Sequence, residues 1–92
     1  MQSLESQRNF EGKEGIVTMF DYSKLLGRMR ELGYTQEKLA KAIGINESTL
    51  NAKLNNKGYF NNHLIDKICE VLDISKMDIG SYFYVKIIAR LN

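Results

Sequence analysis

The chain has 92 residues, 43% of them hydrophobic, with 13 Lys plus Arg against 11 Asp plus Glu and a formal charge of +2. That supports one domain with a modest core, and a charge this small does not by itself call for nucleic acid. The single cysteine excludes an internal disulfide and fits a reducing cytoplasm, and no apolar run nears the roughly 18 residues of a membrane span or forms a signal peptide.

Residues 1–18 are rich in Gln, Ser, Glu, Asn, Gly and Lys without sustained periodicity, and read as a disordered lead. Lys13–Gly15 can be encoded by a purine-rich ribosome-binding sequence, and Ile16, Val17 and Thr18 space it from Met19. The expectation is therefore that translation starts at Met19 and that 1–18 is a leader or an added extension; an ordinary tail is the alternative.

From there a single signal recurs. A capping residue stands between an apolar residue just before it and another four positions after it, which is how many helices begin. Asp21 lies between Phe20 and Leu25, Thr35 between Tyr34 and Leu39, and Asn46 between Ile45 and Leu50. Asn61 lies between Phe60 and Ile65, and Ser75 between Ile74 and Ile79 with Asp78 as capping-box partner. The repetition predicts five helices in an all-α domain over 19–79. The apolar faces have helical spacing: Leu25, Leu26, Met29 and Leu32 before Gly33; Leu39, Ala40 and Ile43; Leu50 and Leu54; Leu64, Ile65, Ile68, Cys69 and Leu72.

The second and third helices are the most informative. Thr35–Asn55 reads as two short amphipathic helices joined at Gly44, the pattern of a helix-turn-helix whose second helix enters a DNA groove. Ala40 is small where the helices cross. Gly44 suits the left-handed backbone of a sharp turn. Ile43, Ile45 and Leu50 fill the wedge.

Residues 80–92 form a tail that is extended or helical. Phe83, Val85, Ile87, Ala89 and Leu91 alternate as in a strand, while Phe83, Tyr84, Ile87, Ile88 and Leu91 fit a helical face. Aromatic and β-branched enrichment favours the extended form. The segment is too apolar to stand alone in water, so it packs on its own domain or on a second subunit.

At Gln36, Ala40, Gly44, Ser48, Leu50 and Asn55 the sequence resembles the lambda-repressor-like, Cro/C1-type helix-turn-helix family. Small phage Cro-like proteins are the most similar, with openings like Met19–Leu25 and tails like Tyr82–Tyr84. The resemblance covers Met19 to about Ile79. It implies a five-helix lambda-repressor-like fold that binds palindromic double-stranded DNA operators as a homodimer and regulates transcription in a phage or prophage. Two departures stand out. Lys53 replaces a frequent apolar or aromatic residue, and Asn56 replaces a frequent glycine, although asparagine tolerates the same left-handed conformation.

On a third helix spanning Asn46–Asn55, the exposed face carries Glu47, Ser48, Asn51, Ala52 and Asn55. Asn pairs bidentately with adenine, Glu accepts from cytosine N4, and Ala meets the thymine methyl. Ser48 and Asn51 are the expected central base readers, with Glu47 and Ala52 shaping selectivity. Glu47 also suits the helix dipole. Phosphate contacts are expected from Gln36, which matches the family's phosphate-binding glutamine, and from Asn55, Lys57, Arg28, Lys38 and Lys53. Ile79, Tyr82, Phe83, Val85 and Ile87 are the expected dimer contact, with folding back onto the core as the alternative.

His63 is alone and reads as a first-turn residue. Cys69 reads as core, and Tyr22, Tyr34 and Tyr59 as packing groups. With no phosphate loop, metal-ligand cluster or nucleophile elbow, the chain is not expected to be an enzyme or to need a cofactor, a small-molecule ligand or a membrane. The competing class is a protein-interaction module, such as an antirepressor or antitoxin on the same fold.

Overall fold

In the computed structural model, which describes residues 16–90, the described residues begin and end in a strand. The order is β1 (Ile16–Phe20), α1 (Ser23–Glu31), α2 (Gln36–Ile43), α3 (Glu47–Leu54), α4 (Asn62–Leu72), a 3-10 turn (Lys76–Asp78), α5 (Ile79–Phe83) and β2 (Lys86–Arg90). Five α-helices and a two-stranded sheet are therefore present among the described residues. The all-α expectation is corrected by the sheet.

Local capping chemistry sets several of the starts. Thr35 Oγ1 accepts from the Lys38 N–H at 3.1 Å, and Asn61 Oδ1 accepts from the Leu64 N–H at 2.8 Å. Ser75 Oγ accepts from the Met77 N–H at 3.2 Å, but it opens the 3-10 turn that leads into α5 rather than α5 itself. Asp78 makes no side-chain cap bond. Asn46 holds the cap position of α3 with extended backbone and no side-chain bond. Asp21 sits one residue early, since Tyr22 is the residue before α1. Its carboxylate accepts from the Ser23 hydroxyl and, at 2.9 Å, from the Ser23 N–H, which holds it below the usual carboxylate range.

The turns match the backbone each residue tolerates. Gly44 takes a left-handed φ of 81° after α2, and the Ile45 N–H reaches back to the Ala40 carbonyl at 3.0 Å. The core combines Leu25 and Met29 of α1, the apolar faces of α2, α3 and α4, and Phe83 of α5. Leu26 lies half-buried against it. Leu32 departs from expectation: α1 ends at Glu31, and the Leu32 side chain is exposed in the following turn.

The tail splits in two. Ile79, Tyr82 and Phe83 have i, i+3, i+4 spacing and form α5, which packs on α1. Phe83 is only 1% exposed, and Ile79 and Tyr82 lie half-buried against the core. Phe83 is thereby corrected as a dimer contact, because its side chain is buried inside the subunit, whereas Ile79 and Tyr82 keep part of their surface exposed. Val85 and Ile87 remain exposed.

Alternation then takes over, and β2 pairs antiparallel with β1 in the register Ile16↔Arg90 through Phe20↔Lys86. The boundary drawn between residues 18 and 19 thus falls inside β1, and residues 80–90 belong to the domain rather than hanging from it. The proposed leader otherwise lies outside the described residues.

Candidate nucleic-acid interface

The site grows from the crossing of α2 and α3. Ala40, Ile43 and Leu50 are buried at this crossing, and Ile45 is half-buried beside them. This leaves the opposite face of α3 free. Glu47, Ser48, Asn51 and Asn55 are exposed on it, and Ala52 is half-buried.

Three amides on that face are tied together. Asn51 Nδ2 donates to Gln36 Oε1 at 3.0 Å, which links the start of α2 to the middle of α3. Asn55 Nδ2 donates to the Asn51 carbonyl at 2.8 Å and to Asn51 Oδ1 at 3.2 Å. Asn51 keeps one N–H and one Oδ1 lone pair, the donor and acceptor that an adenine edge requires. Gln36 keeps its own amide N–H groups, which suit a phosphate oxygen. The network fixes the Asn51 rotamer before any ligand arrives, which lowers the entropy lost on binding.

The cations divide into two groups. Lys38 and Lys57 are exposed and form no ion pair among the described residues. The Lys57 N–H donates to the Ala52 carbonyl at 2.8 Å, so its backbone is fixed at the end of α3. Lys53 is instead half-buried, and its ammonium donates to the Tyr59 carbonyl at 2.9 Å, closing the loop after α3. Arg28 is the clearest departure. Its guanidinium donates to the carbonyls of Leu72 at 2.8 Å and Asp73 at 3.2 Å, and pairs with Glu31 at 3.3 Å. These are the unpaired carbonyls at the C-terminus of α4, where a cation also meets the negative end of the helix dipole. Arg28 and Lys53, both expected at phosphates, thus act as internal ties in the free chain.

Arg28→Ala is expected to lower stability by about 1–3 kcal/mol, the range for charged hydrogen bonds. The salt dependence of DNA binding should stay unchanged. Urea denaturation and a salt titration check both; a flatter salt slope would return Arg28 to the interface.

Sequence reasoning missed the role of Asn56. Its φ is 64°, as the missing glycine suggested, but its side chain also does something no local rule announces. The amide oxygen accepts from the Phe20 N–H at 2.8 Å and the amide nitrogen donates to the Phe20 carbonyl at 3.0 Å. The loop after α3 thereby holds the end of β1, and the two-stranded ribbon is fastened to the α2–α3 pair.

The remaining candidates are quiet. His63 is exposed in the first turn of α4. Cys69 is buried, and burial pushes its thiol pKa up. Tyr22 is buried and Tyr34 packs on the core, but Tyr59 is 77% exposed, with its ring edge-on to Phe20 at 6.3 Å. Among the described residues no group of His, Cys, Asp and Glu could hold a metal ion, and no helix is long and apolar enough to cross a membrane.

The profile of the family described as "Protein of unknown function (DUF739)" matches residues 18–86. No curated protein matches the chain. Among solved structures, the chain is similar to the solution structure of the modulator of repression (MOR) of the temperate bacteriophage TP901-1 from Lactococcus lactis. The identity is 40%, the match covers 71% of this chain and 88% of that one, and the TM-score is 0.63. Strands, helices and turn residues from Thr18 to Lys86 thus fall within one family profile, and the chain belongs to the DUF739 family.

Proposed function

We propose that this protein is a phage or prophage regulator of transcription, a Cro/C1-type helix-turn-helix protein that acts in the cytoplasm by occupying double-stranded operator DNA. In this reading the five helices are those of the lambda-repressor-like fold, and α3 lies in the major groove. The observation that carries the reading is the amide network Gln36–Asn51–Asn55 on the free face of α3. Asn51 and Ser48 read bases, Glu47 and Ala52 tune the choice, and Gln36, Asn55, Lys38 and Lys57 hold phosphates. The similarity to a phage modulator of repression supports the phage setting.

Two copies on a palindrome would read half-sites about one helical turn apart. Of the surface first assigned to the homodimer contact, Val85 and Ile87 are still exposed and available.

Asn51→Ala should relax preference at one base position, worth about 1–3 kcal/mol of discrimination. Lys57→Ala should weaken all duplexes alike and reduce the salt slope by roughly one. Binding isotherms on matched and mismatched duplexes at several salt concentrations separate the two. Identical effects of both changes would refute the division of roles.

A second reading is a protein-interaction module that acts on a repressor rather than on DNA. The similarity to a modulator of repression supports this too. So does the charge on the reading unit, where Glu37 and Glu47 in the first turns of α2 and α3 offset Lys38 and Lys57. Substitutions on α3 that leave repression control intact would favour it.

A further inference from the structure

The ribbon has two outer edges, and they are not equivalent. On β1 the N–H and carbonyl of Phe20 are both taken by the Asn56 amide. Phe20 therefore cannot exchange hydrogen bonds with Lys86, its partner in register. In an antiparallel pair such positions alternate with bonded ones. The Asp21 N–H donates to the Val85 carbonyl at 2.7 Å, which fixes the bonded parity at the neighbouring pair. It follows that Lys86 and Ile88 turn their N–H and carbonyl groups away from β1. These groups line the outer edge of β2, which has no strand partner among the described residues.

This edge carries a pattern. Register places Lys86 and Ile88 at alternate positions, a cation beside an apolar residue. Ile88 is 72% exposed, and Tyr84 one step before Lys86 is 49% exposed. An exposed edge with apolar side chains is a template for strand addition. Its charge decides what it accepts. β2 reads Lys-Ile-Ile-Ala-Arg and contains no acid. A second copy of β2 offers no carboxylate to Lys86, so self-pairing leaves that charge unmatched.

We propose that the outer edge of β2 is a docking strand for an extended segment of another protein that carries an acid and an apolar residue at alternate positions. The main-chain groups of Lys86 and Ile88 supply hydrogen bonds, Ile88 supplies the apolar contact, and Lys86 selects the acid. On the competing edge Asn56 already occupies the outward groups of Phe20, so an added strand cannot pair there along the full length of β1. The site goes beyond the operator reading and is separable from it, because α3 is not involved.

The test uses the full chain and a blocked peptide, Ser-Thr-Glu-Thr-Val-Thr-Glu-Thr-Ser, followed by backbone amide NMR. The Glu-x-Val-x-Glu core is the same in both strand directions. Binding should shift the Lys86 and Ile88 amides and slow their exchange, leaving α3 unmoved. A peptide with Lys in place of Glu should bind roughly five- to tenfold more weakly, and Lys86→Glu should reverse that preference. Ile88→Pro removes an N–H that β1 does not use, so it should abolish binding while thermal unfolding and DNA affinity persist. Absence of binding, shifts confined to α3, an Ile88 amide already protected in the free chain, or the same shifts on raising chain concentration alone would each overturn the proposal.

Discussion

Phe83→Ala is expected to cost about 3–5 kcal/mol, the range for removing a buried phenylalanine from a core. Domains of this size have about 5–15 kcal/mol in total, so much of the fold's stability should go. The reason is position. Phe83 is 1% exposed, and its ring meets Phe60 edge-on at 5.5 Å, a geometry that adds to simple burial. Phe60 in turn meets Tyr22 at 5.4 Å, so the truncation removes one end of a row of edge-on rings. Urea denaturation monitored by far-UV circular dichroism gives the value. A variant of normal stability that had lost only a concentration-dependent association would contradict the core assignment and restore the tail as a detachable dimer element.

Asn56→Ala is expected to cost about 2–4 kcal/mol, and Asn56→Gly distinctly less. Two contributions separate them. The left-handed backbone penalises alanine by about 1–2 kcal/mol, and glycine not at all. Both variants lose the two hydrogen bonds to Phe20, each worth about 1 kcal/mol. The loss is local as well as global. Amide exchange along β1 and β2 should accelerate in both variants, while the exchange of α4 follows global stability. Equal costs for Ala and Gly would remove the backbone argument, and unchanged exchange in β1 would remove the fastening argument.

These two residues also mark where the sequence was legible and where it was not. Local rules transferred well. Thr35 and Asn61 cap as read, Gly44 takes the left-handed turn, and the face Leu64, Ile65, Ile68, Cys69, Leu72 is buried throughout. Each of these depends on residues within a few positions of one another. Phe83 fitted a strand period and a helix period equally well, and the structure uses both: helix up to Phe83, strand from Lys86.

Long-range pairing was the blind spot. β1 hides at the end of a polar stretch, and its partner lies at the other end of the chain. Nothing near Asn56 points to Phe20, and nothing near Arg28 points to the carbonyls of Leu72 and Asp73. For Arg28, a cation near the expected DNA side invited a phosphate assignment, whereas its guanidinium is engaged at the end of α4. The exposed face of α3 was more accessible. Glu47, Ser48, Asn51 and Asn55 emerge exposed together because one helical period fixes them all once Leu50 and Leu54 are placed in the core. The bonds among Gln36, Asn51 and Asn55 needed the packing angle of α2 on α3, which no spacing rule supplies.

The most direct test of the central claim is selection from random double-stranded DNA, followed by sequencing, with the full chain and its Asn51→Ala variant. The account predicts a palindromic motif for the parent chain and loss of preference at one position in each half-site for the variant. Weak, salt-sensitive binding without sequence preference, equal in both proteins, would contradict operator reading by α3 and leave a protein partner as the target of this surface.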